Sequence, residues 1–116
     1  MADWQRVAAL DDVWSDTVTA ARAAGVALVL IRTGEGTPED RVCAYRDACP
    51  HEKFPLSEWG LIENGVLVCQ RHFWEFDVNT GKHISRIEKP ECDLVRYPVK
   101  VEGEEVLIDI AGIATD

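Results

Sequence analysis

Two short segments near the middle of the chain each place a cysteine and a histidine within one tight turn. The first is Cys49-Pro50-His51, and the second is Cys69-Gln70-Arg71-His72. The seventeen residues between these segments include Asn64-Gly65, which is flanked by apolar runs. Because Asn-Gly is the strongest short signal for a β-hairpin, this connection is predicted to turn the two segments towards each other. Four thiolate and imidazole donors would then converge on one site.

Three interpretations of these four side chains are open, and the grouping of the donors favours one of them. Ordinary core cysteines and surface histidines fit poorly, since two of the three histidines lie within three residues of a cysteine. A tetrahedral structural zinc accepts two thiolates and two imidazoles, but zinc fingers usually group like ligands. Here each segment holds one donor of each kind. That arrangement suits a [2Fe–2S] cluster with two thiolates on one iron and two imidazoles on the other.

Short apolar runs separated by frequent turn residues predict an all-β antiparallel domain, a sandwich or a barrel. The predicted strands are Thr17–Arg22, Val26–Arg32, Arg41–Arg46, Leu61-Ile62, Val66–Val68, Phe73–Val78, the segment around Val99 and Val101, and Val106–Ile110. A single helical turn is expected over Asp11–Ser15. We expect one domain over residues 1–116, with a small cluster-binding subdomain over about 47–93.

The pattern Cys-x-His followed by Cys-x-x-His resembles the ligand motif of Rieske-type [2Fe–2S] proteins, and the resemblance extends from about Arg6 to the end. It implies a Rieske fold holding one cluster, with Cys49 and Cys69 on one iron and His51 and His72 on the other. Neutral imidazoles in place of two thiolates make the oxidised core less negative, so it accepts an electron more easily. Rieske centres accordingly reach about −150 to +300 mV.

Two features of the ligand segments predict a potential at the low end of that range. High-potential Rieske proteins carry a further cysteine in each segment, and these form a disulfide; the corresponding residues here are Phe54 and Arg71. Those proteins also have a serine two residues after the second histidine, where this chain has Trp74. Fewer hydrogen bonds to the sulfurs stabilise the reduced state less.

Among low-potential members, the chain is most similar to the ferredoxin component of soluble di-iron monooxygenases, the toluene and alkene monooxygenase group. The similarity lies in Leu10-Asp11-Asp12-Val13-Trp14, Cys49-Pro50-His51-Glu52, Leu56-Ser57-Glu58, His72-Phe73-Trp74-Glu75-Phe76 and Tyr97-Pro98-Val99. Ferredoxins of aromatic-ring dioxygenases share most of this plan but commonly have glycine at the position of Trp74. The small subunit of a nitrite reductase is a further alternative.

The resemblance implies an electron carrier that has no catalytic role of its own. The donor would be a flavin-containing NADH oxidoreductase, and the acceptor would be a di-iron hydroxylase that oxidises a hydrocarbon. We expect a monomer that docks briefly through a small interface near His51 and His72. The competing class is a zinc-stabilised binding module with no redox role.

Five residues near the ligands are candidates for docking a partner or for shielding the cluster: Phe54, Pro55, Arg71, Trp74 and Pro90. Phe54 and Pro55 either form an apolar rim or pack on the sheet. Arg71 either contacts an acidic partner or lies solvated. Trp74 either shapes the docking face or is an ordinary core aromatic. Pro90 resembles the proline of a third segment that keeps water from the cluster.

Three further side chains with metal-binding chemistry fall outside the motif. Cys43 lies in a predicted strand and is expected to be a small buried apolar residue. Cys92 lies in the proposed third segment, as a packing thiol or a redox-sensitive one. His83 follows a turn and has no cysteine nearby, so we expect it at the surface.

Composition and charge exclude several functional classes. The longest apolar run, Val26–Ile31, has six residues, whereas a membrane helix needs about 20. The first residues show no basic segment followed by an apolar one, so no signal peptide is expected. A net charge of −9 disfavours nucleic acid and anionic membranes and suits docking on basic protein surfaces. We expect a cytoplasmic protein.

Overall fold

The computed structural model describes residues 3–34, 40–48, 54–71, 73–84 and 93–111. In chain order its strands are β1 (Trp4–Ala9), β2 (Val18–Ala23), β3 (Val26–Thr33), β4 (Arg41–Arg46), β5 (Gly60–Glu63), β6 (Val66–Cys69), β7 (Trp74–Asp77), β8 (Arg96–Tyr97), β9 (Val99–Glu102) and β10 (Glu105–Asp109). A 3₁₀ turn covers Leu10–Asp12, and a one-turn helix, α1, covers Leu56–Trp59. The predicted all-β antiparallel fold is confirmed.

The strands form three antiparallel sheets with the orders β1-β10-β9, β2-β3-β4-β8 and β5-β6-β7. Alternate residues of β3 point into two different cores. Leu28 and Leu30 pack in a core shared with β10, whereas Val29 and Ile31 pack in a core shared with β6 and β7. The four-stranded sheet is therefore covered on both faces, which explains why β3 is the longest apolar run of the chain.

The hairpin predicted at Asn64-Gly65 forms, and a second hairpin joins β2 to β3. Asn64 and Gly65 connect β5 to β6 with φ angles of 51° and 78°, and Ala24 and Gly25 connect β2 to β3 with 50° and 78°. Positive φ at both central residues is the requirement of the tight turn that matches strand twist. The β5–β6 hairpin pairs Gly60 with Cys69, so the residues before β5 and those after β6 lie at the same end of the sheet.

The helical turn predicted over Asp11–Ser15 is replaced by the shorter 3₁₀ turn at Leu10–Asp12. A buried guanidinium accounts for the difference, since Arg32 Nη1 donates to the Leu10 carbonyl at 3.2 Å and to the Val13 carbonyl at 3.5 Å. Ser15 then pairs with Arg32 as an isolated β-bridge. The Leu10 and Val13 carbonyls, which could accept hydrogen bonds within a helix, thus accept them from the Arg32 side chain of β3.

Three elements were not predicted: β1, β8 and α1. β1 pairs with β10 and thereby joins the start of the described chain to its end. β8 consists of two residues and pairs with β4. No helix of the described ranges has the length and apolarity needed to cross a membrane.

Candidate metal centre

Of the four predicted ligands, the structure describes Cys69. The other three, Cys49, His51 and His72, lie outside the described residues, as do Pro90 and Cys92. Cys69 is the last residue of β6, and its side chain is fully buried. Among the described residues Cys43 and Cys69 are free thiols, and the prediction that Cys43 is buried is confirmed.

A carboxylate fastens the two ends of the first ligand segment, residues 49–53. Asp47 accepts a hydrogen bond from the Ser57 backbone N–H at 2.7 Å and another from the Ser57 hydroxyl at 2.6 Å. The Asp47 N–H in turn donates to the Ala27 carbonyl at 3.0 Å, which ties this closure to β3. The residues on either side of the predicted Cys49 and His51 are therefore held close together on the central sheet.

The two ends of the second ligand segment, Cys69 and Phe73, are joined by a backbone hydrogen bond. The Phe73 N–H donates to the Cys69 carbonyl at 2.7 Å, and Phe73 has a φ of 59°, in the left-handed region. The Gln70 N–H donates to the Trp59 carbonyl at 2.8 Å, so the turn is bound to the end of α1. Since α1 follows the first ligand segment by a few residues, these bonds place Cys69 and Gln70 beside the described residues that come directly after that segment.

Phe73, predicted as the first residue of a strand, lies instead in the turn before β7. Its side chain is 71% exposed, although it is a large aromatic group directly after the predicted ligand His72. A bulky residue with positive φ is a backbone outlier, and such outliers gather at functional sites. The sequence signal was present, since an aromatic residue adjoins the motif, but nothing in the pattern indicates that it faces solvent.

Arg71 lies against two aromatic rings that follow the first ligand segment. Its Cζ atom is 4.5 Å from the Phe54 ring centroid and 4.9 Å from the Trp59 ring centroid. The two rings meet edge to face, with centroids 6.4 Å apart and planes at 66°. Phe54 and Arg71, the pair at which this chain lacks the cysteines of a disulfide, are therefore in contact. Pro55 is half-buried and caps the N-terminus of α1.

The expectation that His83 lies at the surface is wrong. The residue is only 7% exposed, because it forms a bridge with Phe76 at the edge of β7 and turns inward. Its ring stacks on Trp74 with centroids 4.4 Å apart and planes at 25°, and it lies 5.5 Å from the Phe76 ring. Neither ring nitrogen has a hydrogen-bond partner in the described part of the chain.

Trp74 connects this stack to the candidate ligand. It pairs with Cys69 across β6 and β7, so the two side chains share one face of the sheet. Trp74 is half-buried, and it packs against the core that contains Cys69. The indole therefore lies between His83 and the end of β6, on the side of the buried thiol.

The third segment, residues 85–92, is anchored at both flanks. The His83 N–H donates to the Asp93 carboxylate at 2.8 Å, and the Leu94 N–H donates to the Gly81 carbonyl at 2.8 Å. Beside these bonds, the buried Tyr45 hydroxyl donates to the Val78 carbonyl at 2.7 Å. Burial, with smaller contributions from neighbouring groups, raises the pKa of Tyr45 far above its usual range, so this phenol stays neutral.

The described residues fit the group that the motif predicts. Cys69 is a buried thiol at the end of a strand, beside a turn. It shares one core with Leu56, which follows the first ligand segment, and with Leu94, which follows the third segment. Thiolate donors bind soft metal centres such as iron–sulfur clusters and zinc. The described residues contain no group of three or more metal-binding side chains, so the Cys69 thiol fits either metal and does not distinguish between them.

Comparison with known families distinguishes an iron–sulfur cluster from a structural zinc ion. The model of the Rieske [2Fe-2S] domain matches residues 3–106. The chain belongs to the Rieske [2Fe–2S] family. It therefore carries one [2Fe–2S] cluster, and the structural-zinc alternative is set aside.

Relatives with similar sequences are ferredoxin components of oxygenase systems. The chain is 35% identical to the ferredoxin component of the alkene monooxygenase system of Xanthobacter autotrophicus, over 88% of this chain and 77% of that protein. It is 36% identical to the ferredoxin component of biphenyl 2,3-dioxygenase of Rhodococcus jostii, over 74% of this chain and 84% of that one. These similarities identify a ferredoxin, an electron carrier rather than a catalyst.

A solved structure shares the fold over nearly the whole chain. The ferredoxin of carbazole 1,9a-dioxygenase from Nocardioides aromaticivorans matches with a TM-score of 0.77 and 26% identity, over 93% of this chain and 98% of that one. The predicted Rieske fold is therefore confirmed.

Proposed function

We propose that this protein carries single electrons from a flavin-containing NADH oxidoreductase to the di-iron hydroxylase of a hydrocarbon monooxygenase. Cys49 and Cys69 would hold one iron of the cluster, and His51 and His72 would hold the other. A bound Rieske cluster supplies a one-electron redox centre, at low potential here because the chain lacks the bracing disulfide and the serine hydroxyl. The protein would act as a cytoplasmic monomer, with residues 47–93 as its cluster-binding subdomain.

One observation carries the proposal: the buried Cys69 thiol lies at the end of β6, in the core that also contains Leu56 of α1. The rest of the chain supplies support around it. Asp47 and Ser57 close one segment, and the Phe73 N–H closes the other on the Cys69 carbonyl. These residues would hold the ligand segments in place and keep water from the cysteine-bound iron of the cluster.

Phe73 extends the proposed docking face beyond the residues suggested by the sequence. It directly follows the ligand His72 and presents an exposed ring. An aromatic side chain offers a large contact area with few rotatable bonds, as interface anchors do. We include Phe73 with Phe54, Pro55, Arg71, Trp74 and Pro90 in the surface that meets an oxygenase or shields the cluster.

The ligand assignment is tested by the absorption spectrum and the metal content of purified variants. The wild-type protein should be red-brown, with two irons and two sulfides per chain as a single [2Fe–2S] cluster requires. Cys69→Ala should be colourless. Cys43→Ala is the matched control, because it removes another buried thiol from the same core and should keep the colour. A colourless wild-type protein with stoichiometric zinc would end the proposal.

The choice of acceptor is tested at Trp74, whose counterpart in dioxygenase ferredoxins is commonly glycine. Trp74→Gly should slow electron delivery to a di-iron hydroxylase on the order of ten-fold, the loss expected for a truncated aromatic anchor. Cluster content, read from absorbance, should change less. Trp74→Phe keeps a ring on His83 and serves as the control.

Equal turnover of the glycine and wild-type proteins with the hydroxylase would remove the reason for giving Trp74 a part in the choice of acceptor. The second candidate function is that of a dioxygenase ferredoxin. The likeness to the biphenyl dioxygenase component favours that candidate. Product formation with a di-iron hydroxylase and with a ring-hydroxylating dioxygenase, assayed side by side, separates the two.

A further inference from the structure

The second ligand segment is joined to the residues directly after the first by one side chain as well as by a backbone hydrogen bond. Arg71 belongs to the second segment, two residues after Cys69 and directly before His72. Its guanidinium lies over Phe54, which comes three residues after His51, and over Trp59 at the end of α1. No other cation–π contact among the described residues spans these two segments.

Both distances fall within the range of an attractive cation–π interaction, about 6 Å from the ring centroid. A guanidinium is planar and weakly hydrated, so it stacks on aromatic faces more favourably than an ammonium does. The edge-to-face contact between Phe54 and Trp59 holds the two rings in a fixed relation, and Arg71 bridges them. The hydrogen bond from the Gln70 N–H to the Trp59 carbonyl restricts movement of the backbone next to these side chains.

We propose that Arg71, Phe54 and Trp59 form an aromatic clasp that sets the separation of the two ligand segments and slows loss of the cluster. Arg71 acts as a positioning residue, because its contacts fix the segments that bear the ligands. The inference rests on the proposed ligand set. It assigns the bracing role to side chains at the two positions where this chain has no cysteines for a covalent bridge.

The test measures the rate at which an iron chelator bleaches the cluster in the purified holoprotein. Arg71→Met and Phe54→Leu should each speed bleaching about two- to five-fold, the effect expected from removing a partly exposed cation–π contact. The double variant should bleach little faster than either single variant, because each change breaks the same clasp. Arg71→Lys keeps the charge without the planar stack and should rescue only in part.

Lys100→Met is the matched control. The Lys100 ammonium lies 4.5 Å from the Trp4 ring centroid, a cation–π contact of the same length in the sheet β1-β10-β9. Its removal should leave the bleaching rate unchanged. The thermal midpoint of the sheets, followed by far-ultraviolet circular dichroism, should be nearly the same in the clasp variants and the wild type, so general unfolding is separated from local opening.

Three outcomes would overturn the clasp: bleaching rates equal to wild type, additive effects in the double variant, or equal acceleration by Lys100→Met. NMR of the Arg71 Nε–H provides a check apart from the cluster, since ring currents of Phe54 and Trp59 should shift this signal and Phe54→Leu should move it. A wild-type protein without an iron–sulfur cluster would instead overturn the proposed function, and the clasp's role with it.

Discussion

At the scale of single residues, His83 departs most from what its chemistry suggests. An imidazole with no hydrogen-bond partner among the described residues is buried against two aromatic rings. A buried polar group that is left unsatisfied costs about 1–3 kcal/mol. The ring stacks on Trp74, the strand residue opposite Cys69. The described contacts of the His83 side chain are therefore ring contacts, and they include the residue that pairs with the candidate ligand Cys69.

Replacing His83 by an apolar ring tests this account. His83→Phe keeps a ring on Trp74 and removes both ring nitrogens, which have no partner among the described residues, so we expect the free energy of unfolding to rise by about 1 kcal/mol. The thermal midpoint should then increase by about 4 °C. His83→Gln, which keeps a polar group and loses the ring, should be less stable than the wild type. A lower midpoint for His83→Phe would mean that the ring nitrogens have a stabilising role.

At the scale of elements, turns with positive φ connect the strands and lie beside the ligand segments. The space around the glycine differs from one turn to another. Gly65 and Gly81 both have a φ of 78°. A Cβ atom on Gly65 would meet nothing within 4 Å, whereas one on Gly81 would lie 2.7 Å from Cε1 of Tyr45. Gly81 also accepts the Leu94 hydrogen bond that anchors the third segment.

The pair Gly81→Ala and Gly65→Ala separates backbone strain from packing. Gly65→Ala should cost only the left-handed conformation, about 1 kcal/mol of unfolding free energy. Gly81→Ala adds a clash with the buried Tyr45 ring, so its total cost should be about 3 kcal/mol. Thermal midpoints of the two variants, measured together, check the difference. Equal midpoints would show that the Tyr45 ring moves aside freely.

Elements with local signals were predictable, and elements that depend on distant partners were not. β3 and the Asn64-Gly65 hairpin follow from a continuous apolar run and a turn dipeptide, signals carried by neighbouring residues. β1 has no regular alternation and forms because β10 offers it an edge. β8 is two residues on the edge of β4. Tertiary pairing of this kind leaves no pattern in a single sequence.

The candidate site also combines a local sequence signal, which could be recognised, with long-range contacts, which could not. The ligand motif is local, so it could be found from spacing alone, and Cys69 takes the position at the end of a strand that the hairpin predicted. The contacts around it are long-range. Arg71 on Phe54, the Asp47–Ser57 closure and the burial of His83 each join residues from different elements. Such contacts require the fold before they can be inferred.

At the scale of the whole molecule, the negative charge is spread rather than concentrated. Residues 47–93 hold nine acidic and five basic side chains, and the remainder holds twelve and seven. Neither part is markedly more acidic than the other. The net charge of −9 therefore favours a general attraction to a basic partner surface. In the proposed function, local orientation then depends on side chains beside the proposed ligands, among them Phe73 and Arg71.

This distribution predicts how electron delivery responds to salt. The rate at which the reduced protein delivers electrons to its oxygenase should fall about ten-fold between roughly 0.05 and 0.5 M salt, because screening removes long-range attraction. Reduction of the same protein by dithionite, a small anion, should accelerate over that range, since the salt screens repulsion. Stopped-flow absorbance of the cluster measures both rates. A delivery rate that stays constant or rises with salt would contradict docking on a basic surface, and the opposite response of dithionite excludes a general effect of salt on the cluster.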